Sequence, residues 1–244
     1  MTIWIIGATG GIGRRLTERL AETGHDLVIS ARSQEDLDSL AERVDSVVGV
    51  KSLDASDFDA VMSAAKSIAE EHGSLDGVVN LAGSMLLRPE HLTSYDDYRS
   101  TMRQNLDTAF AVVRAACKVM YSTGGSIVLI SSAAASRGLK NHGAIAAAKA
   151  GIEGLVRSTA AGYSARGIRV NAVSPGMVQT PLSKDVWSNE RSREYSENLH
   201  PLGRIGQPAD VVPAIEMLLD PDVAGWTTGS VVSVDGGLAG ALSR

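Results

Sequence analysis

Short runs of β-branched residues alternate with longer segments whose apolar residues recur at spacings of three and four. This alternation predicts strands joined by helices. The predicted strands are residues 3–6, 27–30, 47–53, 77–81, 126–131, 169–174 and 230–234. The predicted helices are residues 12–22, 34–44, 57–72, 98–121, 144–166 and 208–219. Strands separated by helices favour parallel pairing through right-handed crossovers, so we predict a doubly wound α/β sheet of Rossmann type in one domain, residues 1–244.

One long segment, residues 176–207, shows neither period and is polar and charged, with Trp187 and Tyr195 inside it. A loop of that length in a compact domain is typically a lid or a binding segment. Ligands of doubly wound sheets bind beyond the carboxyl ends of the strands. We therefore expect this segment to cover a ligand site.

The composition narrows the function classes. The 244 residues carry a formal net charge of −5, and Arg14 and Arg15 are neighboured by acids, which argues against a nucleic-acid partner. Cys117 is the one cysteine, so no disulfide framework exists and a reducing compartment is expected. No His, Cys or Asp cluster has the spacing of a metal site.

The chain also lacks the patterns of export and membrane insertion. A glycine turn begins at Gly7, too early for a signal peptide to precede it. No uncharged apolar run approaches the roughly 18 residues that span a bilayer. We expect a soluble, cytoplasmic protein with no membrane partner.

A glycine cluster follows the first predicted strand, at Gly7, Gly10, Gly11 and Gly13, and a helical segment follows at once. Glycine has no Cβ, so the backbone can turn sharply and bring its N–H groups to a pyrophosphate at the helix N-terminus. Such a cluster on the first strand of a βαβ unit predicts a dinucleotide site. The alternative is a tight turn that binds nothing.

The end of the second predicted strand bears on the choice of dinucleotide. An acid there would hold the ribose hydroxyls, whereas an arginine accommodates a 2′-phosphate. The strand leads into Arg32 and Ser33 with no acid before Glu35, and Asp26 lies at the opposite end. Arg32, with Ser33 and Arg14 as neighbours, favours NADP(H) over NAD(H), the alternative being a solvated surface arginine.

Several motifs together resemble those of the short-chain dehydrogenases/reductases over nearly the whole chain. They are Gly7, Gly11 and Gly13, the run Asn80-Leu-Ala-Gly83, the strand that leads to Ser132, Pro175-Gly176 with Thr180, the run Gly203 to Pro208 and the run Val234 to Gly237. The resemblance implies a single-domain oxidoreductase with an NAD(P) cofactor and a small-molecule substrate. It also implies a homo-tetramer or dimer that associates through helices 98–121 and 144–166.

The resemblance implies residue roles as well. The cofactor-binding residues would be Gly7, Thr9, Gly10, Gly11, Ile12, Gly13, Arg14, Arg32, Ser33, Asp54, Asn80, Ala82, Gly83, Lys149, Pro175, Gly176, Val178 and Thr180. Asp54 matches the acid that contacts adenine, and Asn105 matches an asparagine that holds a proton-relay water. Ser132 and Lys149 match two catalytic residues. Asparagine is unfavourable inside a helix, so Asn105 independently indicates a buried polar role.

The chain departs from the family at position 145. The family's Tyr-x-x-x-Lys motif places a tyrosine about thirteen residues after the serine, and this chain has Ile145 there, with Lys149 in register. An isoleucine side chain neither exchanges a proton nor forms a hydrogen bond. Carbonyl reduction then needs another acid, or loses the contribution of general acid catalysis, typically about 10²–10⁴-fold.

His142 is the first candidate for a substitute. It lies seven residues before Lys149, a spacing that resembles the tyrosine-to-lysine separation in the family's enoyl-reductase branch, and three before Ile145. An imidazole is a ready proton donor at neutral pH. We expect His142, Ile145 and Ser132 to line the substrate pocket, although a histidine before a helix can also be an exposed or capping residue. Tyr195 and His200 are weaker alternatives from the 176–207 segment.

The sequence thus predicts an NADP(H)-dependent oxidoreductase that acts on a small carbonyl, alcohol or activated alkene with a non-standard proton donor. A second hypothesis is a catalytically silent dinucleotide-binding scaffold or regulatory subunit. A third is an enzyme whose reaction needs no acid at position 145, such as an elimination or isomerisation. The substrate and the reaction direction carry no readable motif.

Overall fold

The structure, a computed structural model, describes residues 1–240 and contains one parallel sheet. Its strands are β1 Thr2–Ile6, β2 Asp26–Ala31, β3 Val47–Ser52, β4 Gly77–Asn80, β5 Gly125–Ile130, β6 Ile168–Pro175 and β7 Val231–Val234. They are ordered β3-β2-β1-β4-β5-β6-β7. The predicted single-domain, doubly wound α/β fold is confirmed; the last four residues of the predicted domain lie outside the described part.

Helices cover both faces of this sheet. They are α1 Gly11–Glu22, α2 Gln34–Ala41, α3 Phe58–His72, α4 Tyr95–Met102, α5 Thr108–Val119, α6 Gly143–Tyr163, α7 Lys184–Trp187, α8 Glu190–Leu199, α9 Pro208–Leu219 and α10 Pro221–Ala224. In β1, Ile3 and Ile5 join the core under α1, α2 and α9, whereas Trp4 and Ile6 join the core under α3, α5 and α6. Strands buried on both faces explain the continuous apolar runs in the sequence. No helix in the described part of the chain is both long and apolar enough to cross a membrane.

The prediction of one helix over residues 98–121 is wrong, because the helix starts earlier and is interrupted. The Ser94 side chain accepts a hydrogen bond from Asp97 N–H and the Asp97 side chain returns one, so this capping box starts α4 at Tyr95. A π-helical turn, Arg103–Asp107, then separates α4 from α5. Such turns insert an extra residue into a helix and are frequent at functional sites, and hydrophobic spacing does not reveal them.

The expectation that residues 176–207 form an irregular loop is also wrong. The segment contains a 3₁₀ turn, Pro181–Ser183, and the helices α7 and α8. Helix α8 buries only Ser196 fully and otherwise carries mostly polar side chains, so it shows no apolar stripe. Local interactions define it instead, through the Asn189 cap and the Arg193–Glu197 ion pair.

We predict that Trp4→Phe lowers the free energy of unfolding by about 1–3 kcal/mol, because the indole N–H donates a buried hydrogen bond of 2.8 Å to Ser30 Oγ. Denaturant unfolding followed by circular dichroism measures the change. Trp226 is fully exposed, so Trp226→Phe is the matched control and should shift stability by less than about 0.5 kcal/mol. Equal shifts in the two variants would contradict the role given to this hydrogen bond.

Candidate functional site

The loop between β1 and α1 is attached to the end of the neighbouring strand β2. The N–H groups of Gly7 and Ala8 both donate to the carbonyl of Ser30, at 2.8 and 3.1 Å. Gly7 has a φ of 80°, in the left-handed region that favours glycine. A Cβ at Gly13 would lie 2.3 Å from the carbonyl oxygen of Gly7, so the turn itself requires these two glycines.

The N-terminus of α1 is free to receive an anion. Its N-cap, Gly10, supplies no side-chain hydrogen bond, and no acid lies in the first turn. By contrast, the side chains of Ser33, Asp57 and Ser94 cap α2, α3 and α4. Unpaired N–H groups and the helix dipole favour negative charge at such an end. These features fit the pyrophosphate of a dinucleotide.

A cavity of about 1070 Å³ extends from this loop along the carboxyl ends of the strands, where doubly wound sheets bind ligands. It is lined by Gly7, Thr9, Gly10, Gly11, Ile12, Gly13, Arg32, Ser33, Asp54, Ala82, Gly83, Asn105, Ser132, His142, Ile145, Lys149, Pro175, Gly176, Val178 and Thr180. All but two of the site residues expected from the sequence are therefore brought together. Arg14 and Asn80 are not among the lining residues.

Those two residues support the loops around the cavity. Arg14 donates through Nε to the carbonyl of Thr9 at 2.8 Å and pairs with Asp36 at 3.1 Å. Asn80 Oδ1 accepts from the N–H of Ala82 at 3.1 Å. Their contacts in this structure are with the protein itself, and their cofactor-binding roles remain predictions.

The adenine end of the cavity, as the sequence predicts it, carries Arg32, Ser33 and Asp54. The Arg32 side chain is exposed and forms no ion pair within residues 1–240. The Ser33 side chain accepts from Asp36 N–H and caps α2. Hydrogen bonds from the backbone and side chain of Ser56 lower the pKa of Asp54, with smaller contributions from the positive charges of Arg103 and Arg32.

Asn105 lies in the π-helical turn and is almost completely buried. Its Nδ2 donates to Ser84 Oγ at 3.1 Å and to the carbonyl of Thr101 at 2.9 Å. Its Oδ1 accepts from Ser84 N–H at 3.3 Å. The asparagine thus joins the loop after β4 to the α4–α5 helix, in agreement with the buried polar role expected from its sequence context.

Lys149 reaches the cavity from α6. Its Nζ donates to the carbonyl of Ile130 at 2.9 Å, and burial lowers the pKa of its ammonium group to about 8. The ammonium group is charged below about pH 8 and loses its proton as the pH rises through that value. Ser132, also on the cavity wall, accepts from Ala134 N–H at 3.2 Å.

Ile145 lies one turn before Lys149 on α6 and is 5% exposed. His142 is half-buried and is the N-cap residue of α6, but its side chain does not cap the helix. Its Nδ1 lies 2.6 Å from the carbonyl of Lys140. A carbonyl only accepts, so Nδ1 carries the proton of this bond and Nε2 is left for a ligand. Both residues line the cavity.

The segment 176–207 also contributes to the cavity wall. Tyr195 lines it and is exposed, whereas His200 is buried. The His200 Nε2 accepts from Met177 N–H at 3.1 Å, and its Nδ1 lies 2.6 Å from the carbonyl of Ser196. Both ring nitrogens are used by the protein, so His200 holds α8 against the end of β6.

Sequence reasoning missed three cationic residues of the wall, Arg103, Lys140 and Arg191. None belongs to a motif, and only the tertiary fold places them on the cavity. Within residues 1–240, no group of three or more His, Cys, Asp or Glu side chains is arranged to hold a metal ion.

Comparison with known proteins agrees with this geometry. A family profile described as enoyl-(acyl carrier protein) reductase matches residues 7–239. The chain is 32% identical to a 3-oxoacyl-(acyl-carrier-protein) reductase of Thermotoga maritima over 242 residues, covering 96% of each chain. It is 34% identical to carbonyl reductase family member 4 of Danio rerio over 240 residues, again covering 96% of each.

Solved structures give the same result. A short-chain type dehydrogenase/reductase from Mycobacterium ulcerans superposes with a TM-score of 0.91 at 29% identity, covering 98% of this chain and 89% of the other. An actinorhodin polyketide ketoreductase variant solved with NADPH superposes with a TM-score of 0.90 at 25% identity, covering 98% and 97%. With the fold, the glycine loop and the family profile in agreement, the chain belongs to the short-chain dehydrogenase/reductase family of oxidoreductases.

Proposed function

We propose that this protein is an NADP(H)-dependent oxidoreductase that reduces a small carbonyl compound or activated alkene, or oxidises the corresponding alcohol. The observation that carries the proposal is the single cavity that joins the glycine loop to Asn105, Ser132 and Lys149. The T. maritima and D. rerio relatives are named as reductases, and the actinorhodin ketoreductase neighbour was solved with NADPH.

Residues that line the cavity would hold the cofactor. The uncapped N-terminus of α1, residues Gly11 to Gly13, suits the pyrophosphate. Arg32 has no ion-pair partner within the described residues, which leaves its guanidinium available to a 2′-phosphate. Asp54 is kept ionised by Ser56 and can accept hydrogen bonds from the adenine amino group.

The cofactor and the protein would contribute different parts of the reaction. When bound, the dinucleotide supplies or accepts the hydride. The Ser132 hydroxyl can donate a hydrogen bond to the substrate oxygen, and the Lys149 ammonium supplies positive charge nearby. Ile145 takes no part in proton transfer, so the proton that accompanies the hydride must come from another group.

We propose that His142 donates that proton in reduction and accepts it in oxidation. It lines the same cavity wall as Ile145, three residues earlier, and its Nε2 forms no hydrogen bond with any described residue. In reduction a protonated Nε2 would donate to the substrate oxygen, and in oxidation the neutral nitrogen would accept. Of the two alternatives from segment 176–207, Tyr195 is more exposed and lies on a polar helix, and both ring nitrogens of His200 already form hydrogen bonds with the protein.

The first test is titration of the purified protein with NADPH and NADH by fluorescence, then turnover with a panel of ketones, quinones and enones. We expect NADPH to bind more tightly, and Arg32→Ala to weaken NADPH binding about tenfold or more while changing NADH binding little, because a charge-assisted bond is lost. Arg43 is exposed and does not line the cavity, so Arg43→Ala is the control. Equal affinity for both dinucleotides would contradict the NADP(H) assignment. Binding without turnover would leave two readings, a silent nucleotide-binding protein or an enzyme whose substrate is not in the panel.

The second test restores the family's proton donor. Ile145→Tyr should raise kcat for ketone reduction, by up to about 10²–10⁴-fold if general acid catalysis is otherwise missing. Ile145→Phe has a similar volume without the hydroxyl and should give no gain. Equal rates in the two variants, with NADPH binding retained, would show that position 145 does not face the reacting oxygen.

The third test concerns His142. His142→Gln keeps a hydrogen-bonding side chain but removes the exchangeable acid, and should lower kcat by about 10²-fold or more with the NADPH dissociation constant unchanged. His91, in the 3₁₀ turn Glu90–Leu92, is exposed and does not line the cavity, so His91→Gln is the matched control. Unchanged turnover in His142→Gln would exclude this histidine as the donor.

A further inference from the structure

Part of the cavity wall carries six apolar side chains, and we call this part the chamber. Its apolar walls come from the loop after β4, the loop before α6 and the segment that carries α7 and α8. The side chains concerned are Met85, Leu87, Leu139, Leu182, Val186 and Leu199. A chamber of this kind suits a hydrocarbon body.

Two cations, Lys140 and Arg191, line this chamber, and neither forms an ion pair within residues 1–240. Among the described residues, the carboxylates that line the cavity are those of Asp36 and Asp54. Asp36 is paired with Arg14, and Asp54 is hydrogen-bonded to Ser56, both at the adenine end. The described wall of the chamber therefore has no carboxylate, in a chain whose formal net charge is −5.

Arg191 forms no ion pair with an acid of α8 in the described part of the chain. Glu197 is paired with Arg193 at 2.8 Å, and Glu190 and Glu194 do not line the cavity. Arg191 lies in the first turn of α8 and lines the cavity together with Ser192 and Tyr195. A guanidinium group presents a planar fork that matches a carboxylate or phosphate with two parallel hydrogen bonds.

Resting on the function proposed above, we propose that the substrate is an amphipathic organic anion, in which a hydrocarbon body fills the chamber and an anionic head group binds Arg191 with support from Lys140. Both cations are exposed, and cations without a neutralising carboxylate raise the local concentration of anions. Arg191 is then a specificity-determining residue that discriminates against neutral analogues of the same shape.

Ligand-observed NMR titration tests the proposal with octanoate and octanamide, two unreactive probes of equal length that differ in charge. On the NADPH-saturated protein, octanoate should bind about tenfold or more tightly than octanamide, and added salt should weaken only octanoate. Octyl phosphate, measured in parallel, shows whether the head group is better matched by a phosphate than by a carboxylate.

Two variants of α8 make the test specific. Arg191→Gln should abolish most of the preference for octanoate, and Arg191→Lys should retain part of it. Arg193→Gln removes a positive charge two residues away that does not line the cavity, and should leave the preference unchanged.

The proposal is overturned if octanamide binds as tightly as octanoate, if neither binds, or if Arg193→Gln has the same effect as Arg191→Gln. NADPH titration of the same samples separates this result from a failure of the proposed function. If NADPH does not bind, the function fails, and the probe preference is then measured on the cofactor-free protein.

Discussion

The hydrogen bonds that attach the β1–α1 loop to the end of β2 set the position of the glycine turn and of the N-terminus of α1, on which cofactor binding depends. Ser30 contributes twice: its carbonyl accepts the N–H groups of Gly7 and Ala8, and its hydroxyl accepts the indole N–H of Trp4. Ser30 and Trp4 are fully buried, so losing one partner would leave a polar group unpaired at a cost above that of the bond itself. The loop is thus fixed by the protein, and the N-terminus of α1 faces the point where the strand order reverses.

The second constraint is that the buried polar residues of the site must keep their hydrogen bonds although position 145 carries an apolar side chain. Removing one member of a buried polar network is costly when its neighbours lose their partners. Lys149 donates to the Ile130 carbonyl, Asn105 bonds to Ser84 and Thr101, and Ser132 accepts from Ala134. None of these bonds involves position 145, so Ile145 can be buried without leaving an unpaired group.

The sheet could be predicted from sequence because its inner strands β1, β2, β4, β5 and β6 are buried on both faces and therefore show as apolar runs. The polar helix α8 could not, since its stability comes from a cap and an ion pair rather than an apolar stripe. The same contrast applies to the site. The glycine loop, Ser132 and Lys149 belong to local motifs at strand ends or on α6, whereas Arg103, Lys140 and Arg191 reach the cavity only through tertiary packing.

The charges of the cavity fall into two groups that differ in how far they are neutralised. Near the glycine loop, Arg32 and Arg103 lie close enough to Asp54 to lower the pKa of its carboxyl group, so acids and bases partly balance there. The chamber under α7 and α8 has Lys140 and Arg191 without an acid on its wall. The anion selectivity proposed above therefore depends on these two cations, because charges of one sign on a cavity wall steer ligands of the opposite sign to it.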